Sequence, residues 1–286
     1  MEQRADVEFT SHGAALRGWL YVPDGGGQPA PGIVMAHGFS AVKEMFLNRY
    51  AEAFTAAGFA CLVYDHFGFG ESDGEPRQNP SGSLQREGYR DAIAWLGAQT
   101  SVDQQRLAIW GSSYSAGHVI MLAAEDLPIR CAVGQVPAIG PTGPGFSQAT
   151  LAAVSSAISE GRLDDTIPAV STTADEVGAM FNDGAYDWFT RVAAEVAPSW
   201  RNEVRIGAFT EPASPKDYLA DAKVPLRLIV APDDKLVPPG TGIATARAIP
   251  NIDVVEIAGG HFDAYEAGFS ASSAAALEWF RQHLSG

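Results

Sequence analysis

The most constraining stretch of this chain is Leu107-Ala108-Ile109-Trp110-Gly111-Ser112-Ser113-Tyr114-Ser115-Ala116-Gly117-His118. A mostly apolar run too short for a helix stops at Gly111, and a helix-forming run, Val119 to Ala124, follows almost at once. That pattern predicts a strand, a sharp turn and a helix. A serine at the tip of such a turn stands above the sheet edge, with the next residue's N–H beside the atom it attacks, and Gly111 supplies the room the backbone needs. Ser113 is therefore the candidate nucleophile. The motif Gly-x-Ser-x-Gly is incomplete here, since the register through Gly111 ends in Ser115. The other register, Ser113-x-Ser115-x-Gly117, centres a residue that already lies in the helix's first turn. Serines at such a place also cap helices, so the rest of the chain has to decide between chemistry and capping.

Upstream, Val7 to Thr10 and Leu16 to Val22 flank the turn Ser11-His12-Gly13 and predict an antiparallel hairpin. A loop over 23–31, with three successive glycines, leads to Ile33-Val34-Met35-Ala36, a buried strand. His37-Gly38-Phe39 follows at once. Glycine at a strand end lets N–H groups turn toward a ligand, so the Phe39 N–H is the first candidate oxyanion donor and the Tyr114 N–H the second. A helix over 47–57 and a strand over 60–64 come next. The glycines of Asp65-His66-Phe67-Gly68-Phe69-Gly70-Glu71-Ser72-Asp73-Gly74 miss the dinucleotide-binding spacing, and Pro76 and Pro80 delay any helix, so no cofactor is expected. Asp65 and Asp73 are expected to brace this loop. After a helix over 83–99 comes the Ser113 stretch. Alternating strands and helices imply a parallel sheet whose ligand site lies at the strands' C-terminal ends.

A strand over 129–136 ends the alternation. Pro137 to Gly145 reads as a hinge, and residues 146–212 have helical character. Their aromatic supply suggests a self-packed layer that also caps the site; Phe146, Met180, Phe181, Trp188, Phe189 and Trp200, with Phe262 from a later loop, are the expected lining of an apolar pocket. The core is then 1–137 with 213–286, and the cap 138–212. The sheet resumes at 225–230 and ends in Asp233-Asp234, two carboxylates that both lie between the candidate serine and the last loop histidine in sequence. The strand over 253–257 runs into Gly259-Gly260-His261-Phe262. Of six histidines, His261 is placed to act as base, while His12, His66 and His283 lack a catalytic setting and His37 and His118 read as structural neighbours. A helix over 273–284 closes the chain.

With 286 residues, 46% hydrophobic and 19% charged, the chain is of ordinary globular composition. A net charge of −15 argues against a nucleic-acid partner and against an anionic membrane surface. The N-terminus is charged and no apolar run reaches the roughly 18 residues of a membrane span, so a cytoplasmic location without membrane insertion is expected. Cys61 and Cys131 fall inside expected buried strands, and no metal-ligand spacing occurs. A homodimer is compatible with these features.

Taken in order, His37-Gly38-Phe39, Asp65-x-x-Gly68-x-Gly70-x-Ser72, Gly111-x-Ser113-x-Ser115, Asp234-x-x-Val237-Pro238 and Gly259-Gly260-His261 resemble the α/β-hydrolase superfamily over the whole chain. Val42-Lys43-Glu44 and the 64–70 stretch are similar to the dienelactone-hydrolase and polyketide-transferase subgroup, and Gly-x-Ser-Tyr is similar to the peptidase and cocaine-esterase branch. The resemblance implies an eight-stranded, mostly parallel sheet flanked by helices, with a helical cap inserted after strand six, and a Ser-His-Asp triad. It selects Asp234 over Asp233, because the superfamily places its acid four residues before the proline matched by Pro238. The implied activity is a serine hydrolase acting on esters, thioesters or lactones of a small-molecule acyl substrate. Acyl transfer or thioester cleavage in a biosynthetic pathway is the alternative, and a non-catalytic receptor on the same scaffold a distant one.

Overall fold

The computed structural model describes residues 3–24, 28–140, 146–211 and 214–285. In chain order its strands are β1 (Gln3–Ser11), β2 (Ala14–Val22), β3 (Ala30–Ala36), β4 (Ala60–Tyr64), β5 (Val102–Ser112), β6 (Cys131–Gln135), β7 (Thr166–Ile167), β8 (Val204–Arg205), β9 (Leu226–Val230) and β10 (Ile252–Glu256). The helices are α1 (Leu47–Ala56), α2 (Gly82–Gly97), α3 (Tyr114–Ala123), α4 (Gln148–Ser159), α5 (Ala185–Val196), α6 (Gly240–Arg247) and α7 (Phe269–Leu284). Eight strands form one sheet in the order β1-β2-β4-β3-β5-β6-β9-β10, the eight-stranded, mostly parallel sheet that the resemblance implies. The β1–β2 hairpin turns on His12 and Gly13, whose φ values of 50° and 74° suit a two-residue turn that matches strand twist. From β4 to β10 the neighbours are parallel.

Side chains alternate across each central strand, and both faces are covered. Ile33 and Met35 of β3 and Ala108 and Trp110 of β5 pack with α1 and α7 residues such as Tyr50, Phe54 and Phe280. Val34, Ala36, Leu107 and Ile109 pack on the opposite face with Tyr89, Ile93, Val119 and Ile243 of α2, α3 and α6. Parallel pairing carries every strand's carboxyl end to one side. The loops after β3, β4, β5, β9 and β10 therefore share one edge, which is where ligands bind in such sheets.

The segment between β6 and β9 departs from the alternation. It contains α4 and α5, but also β7 and β8, which form a separate antiparallel ribbon. Its expected purely helical character is thus corrected; strands of two residues carry no period to read. The apolar side chains Met180, Trp188, Phe189 and Trp200 of this segment join the same buried cluster as the α1 and α7 face of the sheet. Of the expected 137–145 hinge, residues 141–145 lie outside the described residues, as do 25–27 of the early glycine loop.

Helix α3 begins at Tyr114, which places Ser115 in its first turn as expected, and two other helices differ from expectation. Helix α7 begins at Phe269. Helix α6, rich in glycine, has weak propensity of its own; it exists because the parallel pair β9–β10 needs a crossover.

Candidate functional site

Strand β5 ends at Ser112, and Ser113 turns the chain into α3 with φ 56° and ψ −115°. A non-glycine residue there costs about 1–3 kcal/mol, so the surroundings must hold it. They do so through Ser113 N–H to the Gln135 carbonyl at 2.8 Å and through Ala138 N–H to the Ser113 carbonyl at 3.0 Å. Close packing explains two glycines. A Cβ at Gly111 would lie 2.5 Å from the Ser115 carbonyl oxygen, and one at Gly38 would lie 2.8 Å from the Ser113 Cβ. Behind the turn, Ser112 Oγ meets the Tyr265 hydroxyl at 2.5 Å and receives the Gln135 amide at 3.3 Å.

Ser115 is wholly buried. Its Oγ donates to the His37 carbonyl at 2.5 Å, which leaves it to accept from His66 Nε2 at 2.9 Å. The residue that departs from the glycine motif therefore ties the β3 and β4 loops to the serine turn. Ser113 by contrast borders a small cavity.

That cavity also receives His261. His261 Nδ1 lies 2.7 Å from Asp234 Oδ2, with both residues at most 4% exposed. The other Asp234 oxygen accepts the Val237 N–H at 2.7 Å. Asp233 is exposed. Among the described residues no hydrogen bond joins the Ser113 hydroxyl to His261, although both face the same space. The cavity has room for water-sized molecules of about 20 Å³, about one water.

Its walls divide the expected pocket residues. Met180, Trp188, Phe189 and Phe262 line it, together with Phe39. Phe146, Phe181 and Trp200 do not: Phe146 packs edge-on to Phe209, Trp200 lies behind Phe189 at 5.4 Å, and Phe181 is half-buried elsewhere. Their position on the inserted segment could be read from sequence, but not which way each ring faces. Five residues without a predicted place in the pocket also line it: His37, Gly38, Ala41, Leu236 and Tyr265. Tyr265 stacks on His37 with ring centroids 5.2 Å apart.

The N–H of Phe39, a residue of the cavity wall, and that of Tyr114, next to Ser113 in the chain, have no acceptor among the described residues. The loop carrying Phe39 is fixed by His37, whose Nδ1 accepts the Gly38 N–H at 2.8 Å while Nε2 donates to the Met45 carbonyl at 2.9 Å. It is also fixed by Lys43, fully buried, whose ammonium lies 2.7 Å from Asp65 Oδ2 and 2.6 Å from Glu71 Oε2. Asp65 Oδ1 accepts the Lys43 N–H at 2.7 Å. Asp65 braces its loop through backbone N–H groups as expected, its Oδ2 also accepting the Glu71 N–H at 3.1 Å, whereas the Asp73 carboxylate, expected to do the same, pairs instead with the Arg17 guanidinium of β2 at 2.6 Å.

Burial pushes His37 down to about 4 and His66 down to about 3, and holds His118 well below the ordinary histidine value. All three rings are neutral in the folded protein at pH 7. The unfolded chain protonates them near pH 6.5, so it binds more protons, and their contribution to stability is present above that pH and lost as pH falls toward 4. Stability is expected to drop by about 1 kcal/mol per pH unit per histidine across this window. Urea midpoints at pH 7, 6, 5 and 4.5 check the slope; a flat profile would refute it.

A buried carboxylate–imidazole pair and a serine held by a strained turn at one cavity, with two unengaged N–H groups on the flanking residues Phe39 and Tyr114, can support attack on a carbonyl carbon. Among the described residues no cluster of histidine, cysteine or carboxylate side chains could hold a metal ion, and no helix is long and apolar enough to cross a membrane.

Residues 12–142 match the model of the X-Pro dipeptidyl-peptidase (S15) family. The quorum-quenching protein AidA of Acinetobacter baumannii (strain MDR-ZJ06) is 31% identical over 274 residues, which cover 91% of this chain and 88% of that protein. The thiohydrolase apmlB of Arthrinium phaeospermum is 34% identical over 213 residues, 70% of this chain and 68% of that one. The solved structure of the alpha/beta hydrolase GrgF from Penicillium sp. sh18 superposes with a TM-score of 0.84 at 22% identity, covering 99% of both chains.

Proposed function

Since the chain belongs to the α/β-hydrolase superfamily, we propose that it cleaves the ester or thioester bond of a small, mainly apolar acyl substrate through Ser113, His261 and Asp234. The observation that carries this reading is the 2.7 Å contact between His261 Nδ1 and Asp234 Oδ2 at the wall of the cavity that Ser113 also borders. Asp234 fixes the tautomer with the proton on Nδ1, which leaves Nε2 free to accept the serine proton. The serine oxygen then bonds to the carbonyl carbon, and the carbonyl electrons move to its oxygen. The Phe39 and Tyr114 N–H groups take up that charge. Collapse breaks the bond to the alcohol or thiol, which leaves with the proton from His261, and a water activated by the same ring releases the acid.

The aromatic wall of Trp188, Phe189 and Phe262 supports an apolar acyl group. In this reading the core is 1–137 with 213–286, and 138–212 is a cap over the site. A thioester is included because a 34% identical relative bears the name thiohydrolase.

The reading is tested by labelling with a fluorophosphonate and by a series of oxygen esters and thioesters of increasing acyl length. Label is expected in the wild type and the Ser115→Ala variant, and not in Ser113→Ala. Label lost in Ser115→Ala alone would move the nucleophile. Adding alcohols to the assay reads the partition to water, and a dominant transfer product would make the protein an acyltransferase.

A further inference from the structure

The inserted segment does more than cover the site: it touches the backbone of the proposed base. Asp183 Oδ2 accepts the His261 N–H at 3.0 Å, although 78 residues separate the two in sequence. The adjacent N–H, that of Gly260, is taken by Asp263 of the loop itself at 2.8 Å. One anchor of the histidine loop is thus local and the other comes from the insertion.

The geometry looks built for this contact. Asp183 and Gly184 have φ of 58° and 70°, a pair of left-handed residues that turns the chain into α5 with the carboxylate facing the loop. Gly260 leaves space for it, since a Cβ there would lie 2.9 Å from Asp183 Oδ2. From Asp183 onward α5 follows the 261–266 segment. Trp188 stacks on Phe262 at 4.7 Å, and Arg191 pairs with Glu266 at 2.9 Å.

The cavity beneath holds about 20 Å³, whereas sites for small organic ligands have roughly 300 Å³ or more. Substrate entry therefore requires a wall to move, and the inserted segment supplies Met180, Trp188 and Phe189 of it; movement of α5 and its approach would remove Asp183 from the His261 N–H. We propose that Asp183 is a positioning residue that makes placement of the His261 imidazole conditional on closure of the inserted segment over bound substrate. With the segment displaced, the histidine loop keeps its Asp234 and Asp263 contacts but loses its third anchor, so the ring is aligned with Ser113 only in the closed state. A backbone N–H needs an acceptor and not a charge, so the function belongs to the oxygen of residue 183. This proposal rests on the triad reading above.

The test uses the full chain and measures kcat and KM on an activated ester, with fluorophosphonate labelling and circular dichroism as controls. Asp183→Ala is expected to lower kcat by about tenfold or more, with KM within about threefold of wild type. Asp183→Asn, which keeps the acceptor, is expected to restore kcat to within about threefold. If Asp183→Ala fails to fold, Gly260→Ala, whose methyl displaces the carboxylate, carries the same expected loss of kcat. An alanine variant with wild-type kcat, or an asparagine variant as slow as alanine, would overturn the proposal. Failure of the wild type to take label or turn over any ester would instead remove the triad reading itself, so the two failures are separable.

Discussion

Replacing Ser113 by alanine is expected to lower kcat on esters by roughly 10,000-fold or more while leaving the melting temperature within about 2 °C of wild type. The size follows from the role: without the hydroxyl there is no covalent intermediate, and only the N–H donors and the binding contacts remain. The intact fold follows from the structure, because the serine's strained backbone is held through its N–H and carbonyl, while its hydroxyl has no partner among the described residues. Alanine keeps both backbone bonds. Rates on an activated ester beside a thermal melt check the pair; a variant with a tenth of wild-type activity would exclude Ser113 as the nucleophile.

The second large effect concerns stability. Lys43 is fully buried between Asp65 and Glu71. Burial pushes the Asp65 carboxyl up, and the Lys43 ammonium and the N–H groups of Lys43 and Glu71 pull it back. Lys43→Met removes the ammonium and strands a buried carboxylate, which is expected to cost about 3–5 kcal/mol at pH 7. In the variant the folded-state pKa of Asp65 lies above its unfolded value. Its stability is therefore fullest below the unfolded value near 4 and is lost as pH rises through the folded one. Adding Asp65→Asn to Lys43→Met should recover much of the loss, because the neutral side chain can stay buried. Denaturation curves for the three proteins at pH 7 and pH 5 check this. Equal losses at both pH values would point to packing instead of charge.

What could be read from the sequence follows the range of the physics. The loops after β3, β5, β9 and β10 each announce themselves by a short apolar run ending in glycine or a proline-acid stretch, signals contained within a few residues. The parallel sheet follows from their alternation. The contacts that fix those loops span the chain and leave no local trace. Lys43 stands between Val42 and Glu44 in a short loop, and nothing near it says that it is buried against a carboxylate 22 residues away. Asp183 sits in Asn182-Asp183-Gly184, which reads as a turn and gives no hint of the histidine loop it meets. Ser115 looked like a flaw in a motif; its hydroxyl in fact joins His37 to His66. Aromatic residues of the insertion are visible as a supply, but a ring's facing depends on neighbours that arrive from elsewhere, and so Phe146, Phe181 and Trp200, expected at a pocket wall, lie outside the lining of the cavity beside Ser113.

The inserted segment shares its apolar cluster with one face of the sheet, so the opening proposed above would carry a thermodynamic cost at every turnover. Lifting Trp188 and Phe189 away from Phe262 and Tyr265 exposes aromatic carbon to solvent, so the free energy of admission is a hydration energy, with the positive heat-capacity change that wetting such surface brings. Arrhenius plots limited by entry should then bend, and cosolutes that are excluded from apolar surface should slow the enzyme by holding it shut.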